Sequence, residues 1–204
     1  SIFITASATD GETLRVYHSG STKAFGNISG KNLEPGQWTH CAVTRSGNNV
    51  NIWINGVLDG IGANGGDNLT LNEATVGRAT FWGTSYNLRN GDTVSDLKVT
   101  KGTALYTSTF TPPTSPVGNT NASLYLPMDN AGIFDKTGNQ TLTLSGDTST
   151  STTQTKFADT AMYFDGTGDY IVGETLQDFA GDFTWEIWAY PISHVGGSTD
   201  AIAS

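Results

Sequence analysis

The carboxylates set the first question, because two of them on one strand face could hydrolyse a glycosidic bond. That chemistry needs carboxyl groups about 5–9.5 Å apart, which on a strand means acids at i and i+2 or i+4. The aromatic run 183–190 (FTWEIWAY) holds one acid, Glu186, and Asp182 is its formal mate. Asp182 precedes the run in a Gly-Asp turn, however, and no acid-x-acid-x-x-acid pattern accompanies it, so a hydrolase is the remote reading. His18, His40 and His194 are scattered, and none accompanies a Ser or Cys nucleophile motif. His40 and Cys41 point to opposite faces of one strand and make no thiol–imidazole pair. Cys41 is the single cysteine, which excludes an internal disulfide and a multi-cysteine metal site. In its apolar stretch it reads as a small buried hydrophobe.

Binding chemistry is better supplied. Asp165 and Asp169 in FDGTGDY, and Asp129 and Asp135 around PMDNAGIFD, offer hard oxygen ligands of the kind Ca²⁺ takes. Asp165-Gly166 also fits a plain hairpin turn, and that is the favoured reading of it. In FWGTSYN at 81–87, Phe81, Trp82 and Tyr86 stand with Asn87 in a Gly-, Thr- and Asn-rich loop. Rings there would stack on sugar C–H faces while Asn87 bonds hydroxyls; the plainer alternative folds Trp82 back as a lid. Trp38, Trp53, Trp185 and Trp188 fall on strand-like runs, where packing is the default. Four Asn-x-Ser/Thr sequons, at Asn27, Asn68, Asn121 and Asn139, carry no weight in so Ser- and Thr-rich a chain.

The elements that must position these groups are strands. Among 204 residues, 31 Thr, 17 Ser, 15 Asn and 25 Gly replace much of the usual charge, which is only 14%. β-branched Thr suits a half-wet pleated surface, and Gly, Asn and Ser make turns. No apolar run approaches the roughly 18 residues of a membrane helix. A net charge of −9 gives no general attraction for nucleic acid or anionic lipid. Strands are expected at 2–8 and 13–17 around Asp10-Gly11, and at 38–44 and 50–54 around the turn 46–49. Further strands are expected at 57–58, 69–71, 74–78, 94–100, 123–127, 141–144, 161–165, 169–172 and 183–190. No segment holds a helical period. Residues 109–121 carry three of the six prolines and read as a linker or a strap across a sheet edge. Residues 145–155 (SGDTSTSTTQT) read as an exposed loop. The start SIFITASATD lacks the marks of a signal peptide and has no initiating Met, as in a processed chain or a segment of something longer.

Three stretches resemble the laminin-G-like domains of the concanavalin A-like jelly-roll family, in a wording common in phage and marine viral structural proteins. WTHCAVTRSGNNVNIWINGVLDG at 38–60 resembles the family's central hairpin, and VSDLKVTKGTALYTSTFTPPTSP at 94–116 its last strand and exit segment. KFADTAMYFDGTGDYI at 156–171 with DFTWEIWAYP at 182–191 resembles its opening strands. The resemblance implies an all-β, two-sheet antiparallel jelly-roll sandwich. It also implies a structural Ca²⁺ at a rim in some relatives, a position that Asp96 resembles and to which Asp165 and Asp169 could contribute.

The order is unusual, since the family's opening strands stand last. Residues 1–117 correspond to the C-terminal part of such a sandwich and 118–204 to the N-terminal part, together one domain. A circular permutant, a segment of a tandem array, and half-domains completed by a neighbouring chain all fit. Half a sandwich would expose an apolar sheet face and unpaired edges, so the two parts must meet.

The expected function is a non-enzymatic structural or adhesive unit of an extracellular or virion assembly, touching other copies or neighbouring assembly proteins. No cofactor is required, and a structural Ca²⁺ is optional. The alternative is a carbohydrate-binding module using Phe81, Trp82, Tyr86 and Asn87. Nucleic-acid binding and membrane insertion are not expected.

Overall fold

The computed structural model describes residues 2–7, 13–18, 21–25, 33–63, 74–81, 84–129, 133–173, 181–192 and 199–203. Among them are strands and no helix. In chain order these are β1 (Ile2–Ser7), β2 (Thr13–His18), β3 (Ser21–Phe25), β4 (Thr39–Ser46), β5 (Asn49–Ile54) and β6 (Val57–Ala63). Then come β7 (Ala74–Val76), β8 (Arg78–Phe81), β9 (Thr84–Asn87), β10 (Thr93–Lys101), β11 (Leu124–Leu126) and β12 (Leu142–Ser145). The last are β13 (Ser149–Ser151), β14 (Ala161–Tyr163), β15 (Tyr170–Gly173), β16 (Phe183–Tyr190) and β17 (Thr199–Ala203).

They build an antiparallel β-sandwich. One sheet runs β12-β15-β7-β17-β1-β2-β3, and the other runs β13-β14-β10-β16-β4-β5-β6 with β11 also paired to β10. β8 and β9 form a separate hairpin. Period-two alternation decides which side chains meet between the sheets. From the second sheet Cys41, Val43, Ile52, Ile54, Trp185 and Ile187 enter the core, and Leu14, Val16, Val76, Ile171 and Ile202 enter it from the first. His40, Trp53, Glu186 and Trp188 occupy the alternate positions and face outward from the second sheet.

Strands of 1–117 and 118–204 interleave. β7 lies between β15 and β17, and β10 between β14 and β16. β17 pairs with β1, Ala203 opposite Ile4.

Several expectations change. The polar stretch 145–155 contains β13, which pairs with β14. As an edge strand it can keep Ser and Thr half-wet while satisfying half its backbone. The Pro-rich segment, together with residues 105–108 before it, is a strap on a sheet face rather than an edge, because Phe110 meets His40 of β4 and Trp53 of β5. Asp165-Gly166 is no hairpin turn, since β14 and β15 belong to different sheets. β3 and the β8–β9 hairpin carry no strong pattern and were not expected. The turn at Asp10-Gly11 and the expected strand 69–71 lie outside the described residues, although β1 and β2 pair as expected.

Candidate functional site

Three groups of polar and aromatic side chains could do chemistry. The first lies on the outer face of the second sheet, where β16 and β4 place Trp188 opposite His40 and Glu186 opposite Ala42. His40 Nε2 is 3.2 Å from Glu186 Oε2 with both residues buried. Tyr106 of the strap donates its hydroxyl to the same oxygen at 2.5 Å. Its phenol pKa is pushed far up, first by burial and then by the charge of Glu186, so it remains a donor. Tyr106 stacks on Phe110, ring centroids 3.6 Å apart, and Phe110 meets His40 and Trp53 edge-on. The strap's backbone is pinned as well. Leu105 N–H donates to Thr184 Oγ1 at 2.7 Å, and Thr44 Oγ1 donates to the Tyr106 carbonyl at 3.0 Å. Phe110 N–H donates to the Gly56 carbonyl at 3.0 Å.

Glu186 is therefore closed in by the chain's own groups. The formal Asp182–Glu186 pair does not form a catalytic dyad. Asp182 Oδ1 accepts the Gly47 N–H at 2.7 Å, and its carbonyl accepts Gly102 N–H, tying down the strand end. Removing the Tyr106 hydroxyl tests the seal. Tyr106→Phe is expected to lower stability by about 1.5–3 kcal/mol, the worth of a hydrogen bond to a charged group, as read by urea denaturation.

Asp96 sits where β10 bulges, between Ser95 and Lys98, with a φ of 57°. Tyr125 donates its hydroxyl to Oδ1 at 2.8 Å and Val117 its N–H to Oδ2 at 3.0 Å. Burial raises the Asp96 pKa, the two donors lower it, and the Glu186 charge raises it.

The acidic group is elsewhere. Ligand oxygens of Asp147, Asp165 and Asp169 all lie within 4.8 Å of one another, while Asp96 is not among them. Two oxygens each about 2.4 Å from one Ca²⁺ are at most about 4.8 Å apart, so the three meet the pairwise limit for candidate ligands of a single hard cation. Asp169 accepts N–H groups of Asp165 at 2.8 Å and Asp147 at 3.0 Å, one on each oxygen. Its pKa is raised, mainly by burial and then by the charges of Asp165 and Asp147. A carboxyl raised in the folded state costs stability at neutral pH, and the cost vanishes as pH falls through the folded pKa. Asp147→Asn is therefore expected to stabilise the calcium-free protein by a few tenths of a kcal/mol at pH 7. The gain should shrink toward acid pH in thermal melts with a chelator present.

The third group is the hairpin at 81–87. Phe81 ends β8 opposite Thr84 of β9, and Trp82 lies outside the described residues. Tyr86 and Asn87 are half-buried, and the buried Oδ1 of Asn87 has no hydrogen-bond partner among the described residues.

The sequence did not reveal Tyr106, His40 and Asp147 as partners. The alternation of His40 and Glu186 to outward faces was readable, but their adjacency needed the β4–β16 register. Asp147 was hidden in a stretch read as a loop. Cys41 is buried in the core with its thiol pKa pushed far up by burial and by Asp59, in keeping with a packing role.

Comparison with known proteins gives one result. Residues 1–100 match a laminin-G family model described as the Concanavalin A-like lectin/glucanases superfamily. No curated protein and no solved structure matches the chain.

Proposed function

The first 100 residues belong to the Concanavalin A-like lectin/glucanases superfamily, and on that premise we propose a non-enzymatic structural and adhesive module of an extracellular or virion assembly. Its partners are other copies of itself or neighbouring assembly proteins. The observation that carries this reading is the sealed outer sheet face. Glu186 spends its Oε2 on Tyr106 and His40, and the Tyr106–Phe110 stack lies over the face. A hydrolase would need that carboxylate beside a second one in an open cleft.

The permuted motif order is read as one sandwich formed within the chain, a reading supported by the interleaved strands and the β17–β1 pairing. The net charge of −9 disfavours nucleic acid. No helix among the described residues is long and apolar enough to cross a membrane. No cofactor is required in this reading, and Ca²⁺ is the ion that Asp147, Asp165 and Asp169 would accept, as a structural ligand.

A second reading, glycan recognition, is favoured by the unmet Asn87 acceptor beside Tyr86 on the 81–87 hairpin. Analytical ultracentrifugation and a glycan array separate the two. Concentration-dependent assembly with no glycan retained supports the structural module, whereas glycan retention lost in Trp82→Ala supports the lectin. Hydrolase activity abolished by Glu186→Gln would overturn both.

A further inference from the structure

A cavity of about 230 Å³ opens beside the strap, and its polar lining includes Asp96, Asn119, Tyr125, Asp129 and Lys136, with Phe157 as an aromatic wall. It has room for several waters or for one small polar ring or chain.

The charges in it do not balance. Lys136 Nζ is 3.2 Å from Asp129 Oδ2, and both side chains are about a third exposed, so that pair is largely self-neutralised. Asp96 is only 2% exposed, and both of its hydrogen bonds come from neutral donors, Tyr125 O–H and Val117 N–H. A carboxylate has about four acceptor sites, so two remain. Burial is the largest cause of the rise in its pKa, partly offset by the hydrogen bonds from Val117 and Tyr125 and by His40. Tyr125 and Phe157 add ring faces, which attract a cation, and the Phe157 ring already has the chain's own Lys156 Nζ 5.4 Å from its centroid. The cavity is thus built for one further positive charge on a small body.

We propose that this cavity binds a primary ammonium group, carried by an amino sugar or by a lysyl side chain of a partner, with Asp96 as the charge partner. The bound ammonium donates to the free acceptor sites of Asp96 and lies against the ring of Phe157. The site is separate from the 81–87 hairpin, none of whose residues lines the cavity. Its failure would leave the proposed function untouched.

Binding is measured by calorimetry and by backbone amide NMR shifts on the whole chain, with glucosamine, glucose, methylammonium and lysine methyl ester as probes. The expected result is that glucosamine or lysine methyl ester binds roughly ten- to hundredfold more tightly than glucose, the worth of a charge-assisted hydrogen bond. Methylammonium should compete, and the shifts should centre on Val117–Asn119. Tighter glucosamine identifies an amino sugar, and tighter lysine ester a lysyl side chain; either supports the site. Asp96→Asn should lose the preference for the amine. If that variant fails to fold, the glucosamine-to-glucose ratio in the unaltered protein decides alone. Equal binding of glucose and glucosamine, no binding of any probe up to high millimolar, or shifts located elsewhere would overturn the proposal.

Discussion

Asp135→Ala is expected to destabilise the fold by about 3–5 kcal/mol, as for an uncompensated loss of a buried charged partner. Asp135 is 5% exposed and accepts five hydrogen bonds. Tyr125 N–H at 2.9 Å and Thr137 N–H at 3.0 Å go to Oδ1. Thr137 Oγ1 at 2.5 Å, Asn139 N–H at 3.0 Å and Gln140 N–H at 3.1 Å go to Oδ2. The first of these matters most. β11 pairs with β10 on one edge, and on the other the Tyr125 N–H has Asp135 and the Tyr125 carbonyl accepts Lys136 N–H at 2.8 Å. Without the carboxylate a buried N–H is orphaned, and Leu124 and Leu126 lose their anchor in the core. Asp135→Asn should also be costly, because its amide NH₂ would face donors on one side. Asp129→Asn, removing only the exposed pair with Lys136, should cost under about 1 kcal/mol. Urea midpoints of the three variants give the comparison. A cost for Asp135→Ala no larger than that for Asp129→Asn would refute the anchoring role.

Gly56→Ala is expected to cost about 2–5 kcal/mol and to loosen the strap. Gly56 has a φ of 78°, which costs an L residue about 1–2 kcal/mol. A Cβ there would also fall far inside contact distance of the Phe110 carbonyl. Backbone cannot step aside as a flexible side chain can, so overpacking adds about 1–3 kcal/mol. Phe110 would be pushed off Trp53 and His40, which a red shift of tryptophan emission should report. Gly47→Ala is the control. Its φ is 58°, but nothing lies within 4 Å of the added Cβ. It should show the conformational cost and no change in emission, and equal behaviour of the two variants would remove the steric argument.

The sequence by itself determined the fold class and much of the local pairing. Alternation in WTHCAVT and VNIWI sets Cys41 with Val43, and Ile52 with Ile54, on single strand faces, and all four are core residues. The Thr-, Asn- and Gly-rich composition announced strands and turns. These features are local, written in period-two patterns and turn chemistry that act over a few residues. Tertiary structure decided what lies side by side over long separations. Glu186 meets His40 across 146 positions and Tyr106 across 80, because register and the strap's path bring them together. The same holds for Asp147 with Asp169, and for Asp96 at the wall of a cavity formed with Asn119, Tyr125 and Phe157. No spacing rule encodes such neighbours. They follow from which strands share an edge and which segment covers a face, and those are properties of the assembled sandwich.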